Sequence, residues 1–304
     1  MKTRVVFFGT PEFSASFLQA LIADEAFAVV AVVAQPDAEL GRKKILTAPP
    51  TKVIAEQYGI PVFQPTKLKD PIFHETLKAL APDLGVIIAY GRILPAEVID
   101  LLPKGLINVH PSLLPLWRGP SPVQAAIAAG DAVSGVSVMK IDAEMDHGPI
   151  LRQVQIPVKN VETPQSFFAK VVEHGVPVFL ESVKDYVAGS LQPQEQEHSL
   201  ATYCKLLTRE DGKINWSEPA EVILRKMRAY TPWPGAWSKD LKIFAAVESE
   251  RQLQPGEIVV DGERLFVGTG TTALELLELQ STAGKRLPAA EWLRGQRQLP
   301  ASLA

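Results

Sequence analysis

Short continuous runs of apolar residues alternate along the first half of this chain with segments in which apolar residues recur every three or four positions. The first such run is RVVFF at 4–8, and Phe13, Phe17 and Leu21 follow it at helical spacing. Uninterrupted apolar strands that alternate with helices are typical of a parallel sheet covered on both faces. The pattern predicts strands at 4–8, 27–34, 61–63, 84–89 and 105–109, and helices at 52–58 and 71–81.

The second half has a different pattern. Residues 133–141 and 150–158 are expected to form a strand pair and 164–188 a helix, after which a polar stretch without periodicity begins near Gly189. A helix at 219–230 and several short strands separated by glycine turns then indicate a small barrel or sandwich. We therefore expect an α/β fold with a doubly wound, mainly parallel sheet, followed by a small all-β domain. The expected bounds are 1–189 for the first domain, 190–207 for a linker and 208–304 for the second domain.

Composition narrows the class of protein. The chain has 304 residues, 46% of them hydrophobic, a formal net charge of −3 and a pI near 6.0. These values predict a folded protein and exclude an overall polycation, so nucleic-acid binding would need a local basic patch. The single cysteine, Cys204, cannot form an internal disulfide, and no Cys/His cluster has zinc-ligand spacing. We expect a cytoplasmic protein without a metal, without a membrane span and with a small, partly buried Cys204.

Residues 107–120 read INVHPSLLPLWRGP and place Asn108, His110 and Ser112 at every second position. Strand spacing would direct all three side chains to one face at the carboxyl edge of the sheet. An Asn amide can donate to a developing oxyanion, and a His beside it can exchange a proton near neutral pH. A turn bond for Asn108 and a backbone partner for His110 are an equally simple interpretation, and spacing alone slightly favours it.

Asp146 lies in the sequence EMDHGP, within the loop expected between the strand pair. A carboxylate beside an imidazole fixes the tautomer of the imidazole, as general acid–base chemistry requires. Asp142, Glu144 and His147 occupy the same loop and are rival candidates that spacing cannot rank.

The turn Gly9-Thr10-Pro11 after the first strand lacks both the dinucleotide-binding and the Walker patterns, which argues against binding of NAD or ATP.

Arg42, Lys43 and Lys44 follow Gly41 in what the pattern predicts to be a long loop at the same edge. A basic loop there could contact the phosphates of a large anionic substrate. A solvated run of charge is the more common meaning of such a sequence.

Four motifs together resemble the family of formyltransferases that use 10-formyltetrahydrofolate. They are Asn108-Val-His110, Ser112-Leu-Leu-Pro115, the Trp-Arg-Gly at 117–119 and Asp146-x-Gly148. The Trp-Arg-Gly looks exposed in the sequence. The segments FFGTPEFS, IAYGRILP, LTREDGKINWS and RAYTPWPGAW resemble the members of that family that formylate methionyl initiator tRNA, over nearly the full chain. The sequence departs from the family pattern at Leu116, where a basic residue is usual, and at His147.

The resemblance implies a formyltransferase fold followed by an oligonucleotide-binding-type barrel, and a monomer that takes 10-formyltetrahydrofolate and methionyl initiator tRNA as substrates. It implies catalytic roles for Asn108, His110 and Asp146, and tRNA contacts for Arg42, Lys43 and Lys44. It implies a folate site at Ser112, Leu113, Leu114, Pro115, Ile88 and Tyr90.

Two other functions stay open from the sequence. A formyltransferase acting on an amino-sugar nucleotide or another small amine could use the same Asn, His and Asp. A pure RNA-binding module with a degenerate first domain is the alternative from another class, and the intact Asn/His/Asp set argues against it.

Overall fold

In a computed structural model, which describes residues 1–41, 44–282, 284–296, 298 and 302–303, the chain folds into two compact units. The first contains 1–119, 134–157 and 168–203. The second contains 120–133, 158–167 and the residues from 204 onward. The predicted domain bounds 1–189, 190–207 and 208–304 stay a prediction, and the two segments that leave the first unit at 120–133 and 158–167 are not apparent in the sequence.

A mainly parallel sheet organises the first unit. Among the described residues it has seven strands in the order β5-β2-β1-β6-β7-β8-β9, and β7 and β8 are antiparallel. The strands of this half are Thr3–Gly9 (β1), Phe27–Val33 (β2), Ala38–Leu40 (β3), Ile45–Thr47 (β4), Val62–Phe63 (β5), Leu84–Ile88 (β6), Leu106–His110 (β7), Val133–Lys140 (β8) and Ile150–Pro157 (β9). The helices of this half are Glu12–Ala23 (α1), Pro50–Gln57 (α2), Pro71–Ala79 (α3), Ala96–Ile99 (α4), Pro122–Ala129 (α5) and Pro164–Ala188 (α6).

The apolar runs of the sequence account for this sheet. Val5, Val6, Phe7 and Phe8 of β1 are fully buried, as expected of a central strand covered on both faces. The predicted doubly wound, mainly parallel sheet is thus confirmed. The short hairpin of β3 and β4 and the helix α4 were not predicted, because each is too short to show a hydrophobic period. The helix α5 was missed because its sequence, PVQAAIAA, is apolar at nearly every position and shows no contrast between two faces.

The second unit contains an antiparallel sheet whose main strand order is β10-β11-β14-β13-β12, with β15 paired to β14. Trp216, Ile223 and Phe266 are buried in this unit, so helix and sheet residues both contribute to its interior. The prediction of a small antiparallel β domain is confirmed. Its elements are Ala220–Ala229 (α7), Ala236–Ser238 (β10), Leu241–Ser249 (β11), Ile258–Asp261 (β12), Arg264–Gly268 (β13), Ala273–Ser281 (β14), Leu287–Pro288 (β15) and Ala289–Arg294 (α8).

No helix in the described ranges is both long and apolar enough to cross a membrane. Cys204 is half-buried, as predicted, and its sulfur accepts a hydrogen bond from the Ser121 amide at 3.3 Å.

Candidate active site

Strand β7 positions the two polar residues that the sequence singled out. It lies between β6 and β8, where Asn108 pairs with Ile87 on one side and Met139 on the other. His110 ends the strand opposite Ser137. Because Asn108 and His110 are two residues apart on one strand, their side chains lie on the same face of the sheet.

His110 is held from two sides. Its Nε2 lies 2.9 Å from the carbonyl oxygen of Trp117, and its Nδ1 lies 3.6 Å from Oδ1 of Asp146. Both side chains are shielded from water, with 5% of the imidazole and 14% of the carboxylate exposed. At 3.6 Å the contact with Asp146 is electrostatic rather than a hydrogen bond. The other oxygen of that carboxylate accepts a bond of 2.8 Å from the Gly119 amide, which fixes its orientation.

The side-chain amide of Asn108, unlike the His110 imidazole, is not held by neighbouring groups. Its side chain is half-buried, and none of the described residues hydrogen-bonds to it. The local turn bond that spacing slightly favoured is therefore not formed. The amide is available to a substrate at the same edge as His110.

The loop between β8 and β9 distinguishes the rival acidic residues by position. Asp142 Oδ2 lies 2.7 Å from His147 Nδ1, and Glu144 is exposed. Only Asp146 reaches His110 among the described carboxylates. Its backbone has a left-handed φ of 49°, and a Cβ added to Gly148 would lie 2.1 Å from the Lys140 carbonyl oxygen. The loop therefore requires glycine at 148 to turn Asp146 inward.

The turn after β7 is tied to β8 and β9. The hydroxyl of Ser112 donates to the Leu116 carbonyl at 2.6 Å, and that of Ser137 donates to the Ser112 carbonyl at 2.7 Å. The Leu114 amide donates to Ser137 Oγ at 3.0 Å. Ser112 and Leu114 are buried, whereas Leu113 and Pro115 are half-buried. Folate contact by this turn stays a prediction. The exposed side chain of Leu116 makes no polar contact, but its carbonyl holds the turn closed.

Ile88 and Tyr90 come at the end of β6, and both are buried. The Tyr90 carbonyl accepts bonds from Thr10 Oγ1 and Gln35 Nε2. Burial raises the pKa of the Tyr90 phenol, and the nearby Arg92 opposes this rise. Within the described chain, no atom meets hydrogen-bond geometry with the Tyr90 hydroxyl. Arg92 is close enough to affect the phenol but does not meet hydrogen-bond geometry with it, so the buried hydroxyl can still bind a ligand.

A charged cluster at the same edge was not predicted. Lys52 Nζ lies 2.9 Å from both carboxylate oxygens of Asp37, and Gln64 donates to Asp37 at 2.8 Å. The hydrogen bond from Lys52 is the main reason why the pKa of Asp37 is lowered. Within the described ranges, no group of three His, Cys, Asp or Glu residues is arranged to hold a metal ion.

The sequence made the Trp-Arg-Gly at 117–119 look exposed, which is wrong: Arg118 and Gly119 are buried and Trp117 is half-buried. Only 2% of Arg118 is exposed, and its Nη2 donates to Gln196 Oε1 at 2.7 Å and lies 2.8 Å from His198 Nδ1. The Arg118 amide also donates to the Thr202 carbonyl at 2.9 Å. Sequence reasoning missed these contacts because residues 194–202 are polar and aperiodic.

The predicted basic loop is only partly described. Arg42 and Lys43 lie outside the described residues. Lys44 belongs to the turn of the β3–β4 hairpin, which replaces the long loop predicted here. Its side chain is 79% exposed, and its Nζ lies 3.8 Å from Glu39. Contacts of this turn with tRNA stay a prediction.

The fold and this site together have the arrangement that general acid–base chemistry with an amide donor for a developing oxyanion requires. Comparison with protein families identifies the family to which the chain belongs. Residues 1–183 match the formyl transferase model, and residues 206–297 match the model of the formyl transferase C-terminal domain. The chain belongs to the formyl transferase family.

Individual proteins agree with this assignment. A methionyl-tRNA formyltransferase of Roseiflexus castenholzii is 47% identical over 305 residues, which cover 98% of this chain and 97% of the relative.

Solved structures share the fold at lower identity. HypX of Aquifex aeolicus aligns with a TM-score of 0.67 and 22% identity over 99% of this chain, which spans only 49% of that protein. An N-formyltransferase of Helicobacter canadensis, solved with folinic acid and dTDP-3-aminofucose, aligns with a TM-score of 0.70 and 17% identity over 91% of this chain and 99% of its own.

Proposed function

We propose that this protein transfers the formyl group of 10-formyltetrahydrofolate to the α-amino group of methionyl initiator tRNA. The observation that carries the chemistry is the shielded His110–Asp146 pair, 3.6 Å apart, beside the uncommitted amide of Asn108. The choice of acceptor is supported by the 47% identity with a methionyl-tRNA formyltransferase over 98% of the chain.

The reaction begins when the amine nitrogen attacks the formyl carbon. A C–N bond forms, the carbonyl electrons move to oxygen, and the nitrogen becomes positively charged. Asn108 donates to the oxyanion, which is the position where preorganised donors contribute most to catalysis. Protonated His110 donates to it as well once its Nε2 turns from the Trp117 carbonyl toward the substrate, while its Nδ1 stays beside Asp146. Asp146 orients the His110 imidazole, and its negative charge balances the positive charge of the imidazole when the imidazole is protonated.

The tetrahedral intermediate then breaks down. A water molecule removes the proton from the attacking amine when His110 is protonated, and neutral His110 removes it otherwise. The bond between the formyl carbon and N10 of the folate then breaks, and its electrons move to N10. The proton lost by the amine, or its equivalent from His110, is delivered to N10, so formyl-methionyl-tRNA and tetrahydrofolate leave. These steps form no covalent bond to the protein.

We place the folate donor at the turn 112–115 and at Ile88 and Tyr90. The Tyr90 hydroxyl supports this placement, because it is buried and no described atom meets hydrogen-bond geometry with it. The tRNA acceptor end is assigned to the basic residues Arg42, Lys43 and Lys44. The exposed Lys44 side chain supports this assignment. The proposed enzyme acts in the cytoplasm as a monomer.

A formyl-transfer assay with three acceptors tests the proposal. Methionyl initiator tRNA, methionyl elongator tRNA and an amino-sugar nucleotide are compared side by side with the same folate donor. We expect transfer to the initiator tRNA in preference to both others. Transfer to the sugar alone would assign the protein to the small-amine formyltransferases.

A further inference from the structure

One buried side-chain amide binds two main-chain carbonyls of the loop that carries Asp146. Gln196 is 5% exposed, and its Nε2 donates to the carbonyl of Asp146 at 2.9 Å and to that of Gly148 at 2.8 Å. These two carbonyls flank His147. The amide therefore bridges the short segment whose left-handed residue turns the Asp146 carboxylate toward His110.

The orientation of this amide is determined by its other partner. Gln196 Oε1 accepts bonds from Nη2 of Arg118 at 2.7 Å and from Nε at 3.2 Å. A guanidinium can only donate, so the oxygen must face Arg118 and the NH2 group must face the two carbonyls. All the hydrogen-bonding groups of Gln196 are thus used in one fixed arrangement.

Arg118 connects this amide with the catalytic pair through the main chain. Trp117, which precedes it, provides the carbonyl beside His110 Nε2, and Gly119, which follows it, donates to Asp146 Oδ2. The main chain of Arg118 is itself anchored to Thr202. Gln196 therefore joins the two short segments that fix the imidazole and the carboxylate.

We propose that Gln196 is a positioning residue that sets the distance and direction of Asp146 toward His110. It touches neither the reacting atoms nor the imidazole, so it acts through Asp146. This inference rests on the proposed function, because its consequence for turnover is a consequence for formyl transfer.

Gln196→Glu tests the proposal with little change of volume. A carboxylate still accepts from Arg118, but it cannot donate to the Asp146 and Gly148 carbonyls and repels them instead. We expect kcat to fall on the order of tenfold to a hundredfold, because a misplacement of about 1 Å is costly in a preorganised site. The KM for the folate donor should stay within about twofold, because the hydrogen bonds of the Gln196 side chain go to Arg118, Asp146 and Gly148 and not to the proposed folate site.

Gln194→Glu is the matched control. Gln194 lies two residues earlier, is exposed, and pairs with Ile150 only through its main chain. The same substitution there should leave kcat and the thermal midpoint unchanged. Gln196→Asn, which keeps the amide but withdraws it by one methylene, adds no charge and provides a second folded variant that should also lose kcat.

Two measurements separate positioning from a general loss of stability. In an Asp146→Asn background, Gln196→Glu should cost little further activity, because residues that act as a unit are not additive. In the enzyme without substrates, the ¹⁵N resonances of the His110 imidazole should move in Gln196→Glu and not in Gln194→Glu.

The outcomes are distinct. Unchanged kcat and unchanged His110 resonances in folded Gln196→Glu and Gln196→Asn would overturn the positioning role, as would a cost that is fully additive with Asp146→Asn. A wild-type protein that formylates none of the acceptors would refute the proposed function, and the resonances would still decide whether Gln196 positions Asp146.

Discussion

Asn108 has a side-chain amide at the carboxyl edge of a central strand that none of the described residues engages. A native fold usually satisfies the polar groups that it shields, so an amide kept free beside a fixed imidazole is typical of a substrate contact. Its role can be separated from folding because its removal breaks no bond between described residues.

Asn108→Ala should therefore lower kcat about 10²- to 10³-fold, the usual cost of removing one oxyanion donor. The thermal midpoint should change little. Steady-state formyl transfer and a melting curve measure the two effects. Asn160→Ala, at an exposed position, is the control and should change neither. A kcat within a few-fold of wild type for Asn108→Ala would exclude it from the oxyanion site.

Gly148 controls the same site through the backbone. A methyl group at 148 would meet the Lys140 carbonyl oxygen at 2.1 Å, a distance that backbone atoms cannot relieve without movement. The movement would carry Asp146 away from His110. Glycine here is required by the close approach of two chain segments.

We expect Gly148→Ala to lower both kcat and the free energy of unfolding, the latter by about 1–3 kcal/mol. Gly295→Ala is a suitable control, because the nearest atom to its added Cβ is 3.4 Å away and its φ is −85°. Chemical denaturation and the formyl-transfer assay report both quantities. A fully active and stable Gly148→Ala variant would show that the loop can adopt another path.

At the scale of elements, the sequence predicted well those strands and helices whose hydrophobic period is long enough to read. The predicted helix at 164–188 coincides with α6, and the strand at 27–34 with β2 at Phe27–Val33. The β3–β4 hairpin could not be predicted, because Ile45 and Leu46 are exposed and follow no buried pattern. Secondary structure is recognisable from sequence where one face is buried, and the side chains described in these two strands are all exposed.

The same reasoning explains which parts of the site were accessible to prediction. Asn108 and His110 share a strand face, so their proximity follows from spacing. The approach of Asp146 depends on a left-handed residue and on Gln196, which is 50 residues away along the chain. Hydrogen bonds across such separations have no periodic trace in a sequence.

The short 3₁₀ helix Arg209–Gly212 is stabilised by a charged cap. Asp211 Oδ1 lies 2.6 Å from Lys205 Nζ, and Oδ2 accepts from the amide and hydroxyl of Thr208. The hydrogen bond from Lys205 is the largest cause that lowers the pKa of Asp211 from 3.8 to about 2. Because the folded state holds the ionised form, stabilisation is complete above the unfolded pKa and is lost as pH falls from about 4 through 2.

Asp211→Asn should cost about 1–2 kcal/mol at pH 7, a value reduced for solvent screening, and the cost should vanish near pH 2. Denaturant unfolding at several pH values measures it, provided that the wild type remains folded across the range. Asp240→Asn is the control, since its side chain is exposed and binds none of the described residues. A cost for Asp211→Asn that is independent of pH would mean that the charge of the carboxylate is not what stabilises the cap.

At the scale of the whole molecule, the charge distribution bears on how the proposed tRNA substrate is held. The chain has a net charge of −3, and from residue 201 onward it has 14 Lys and Arg against 13 Asp and Glu. Because residues 201–304 are nearly neutral, they do not attract RNA strongly by their total charge, so local basic groups must provide the attraction. Arg42, Lys43 and Lys44 are the densest such group in the first half of the sequence, although Glu39 lies near Lys44.

Replacing Arg42, Lys43 and Lys44 together with alanine should therefore raise the KM for methionyl initiator tRNA and leave folate binding unchanged. Each lost phosphate contact should reduce the slope of log affinity against log salt by about 0.7–0.9, so three contacts would reduce it by about 2–3. Alanine at Lys67, Lys69 and Lys78, which are exposed, is a control with the same change of charge. If both triple variants weakened tRNA binding equally, the attraction would come from net charge. If only the variant at 42–44 lost affinity, the attraction would come from local contacts. The two outcomes are distinct because salt screens the interaction of exposed charges beyond roughly 10 Å.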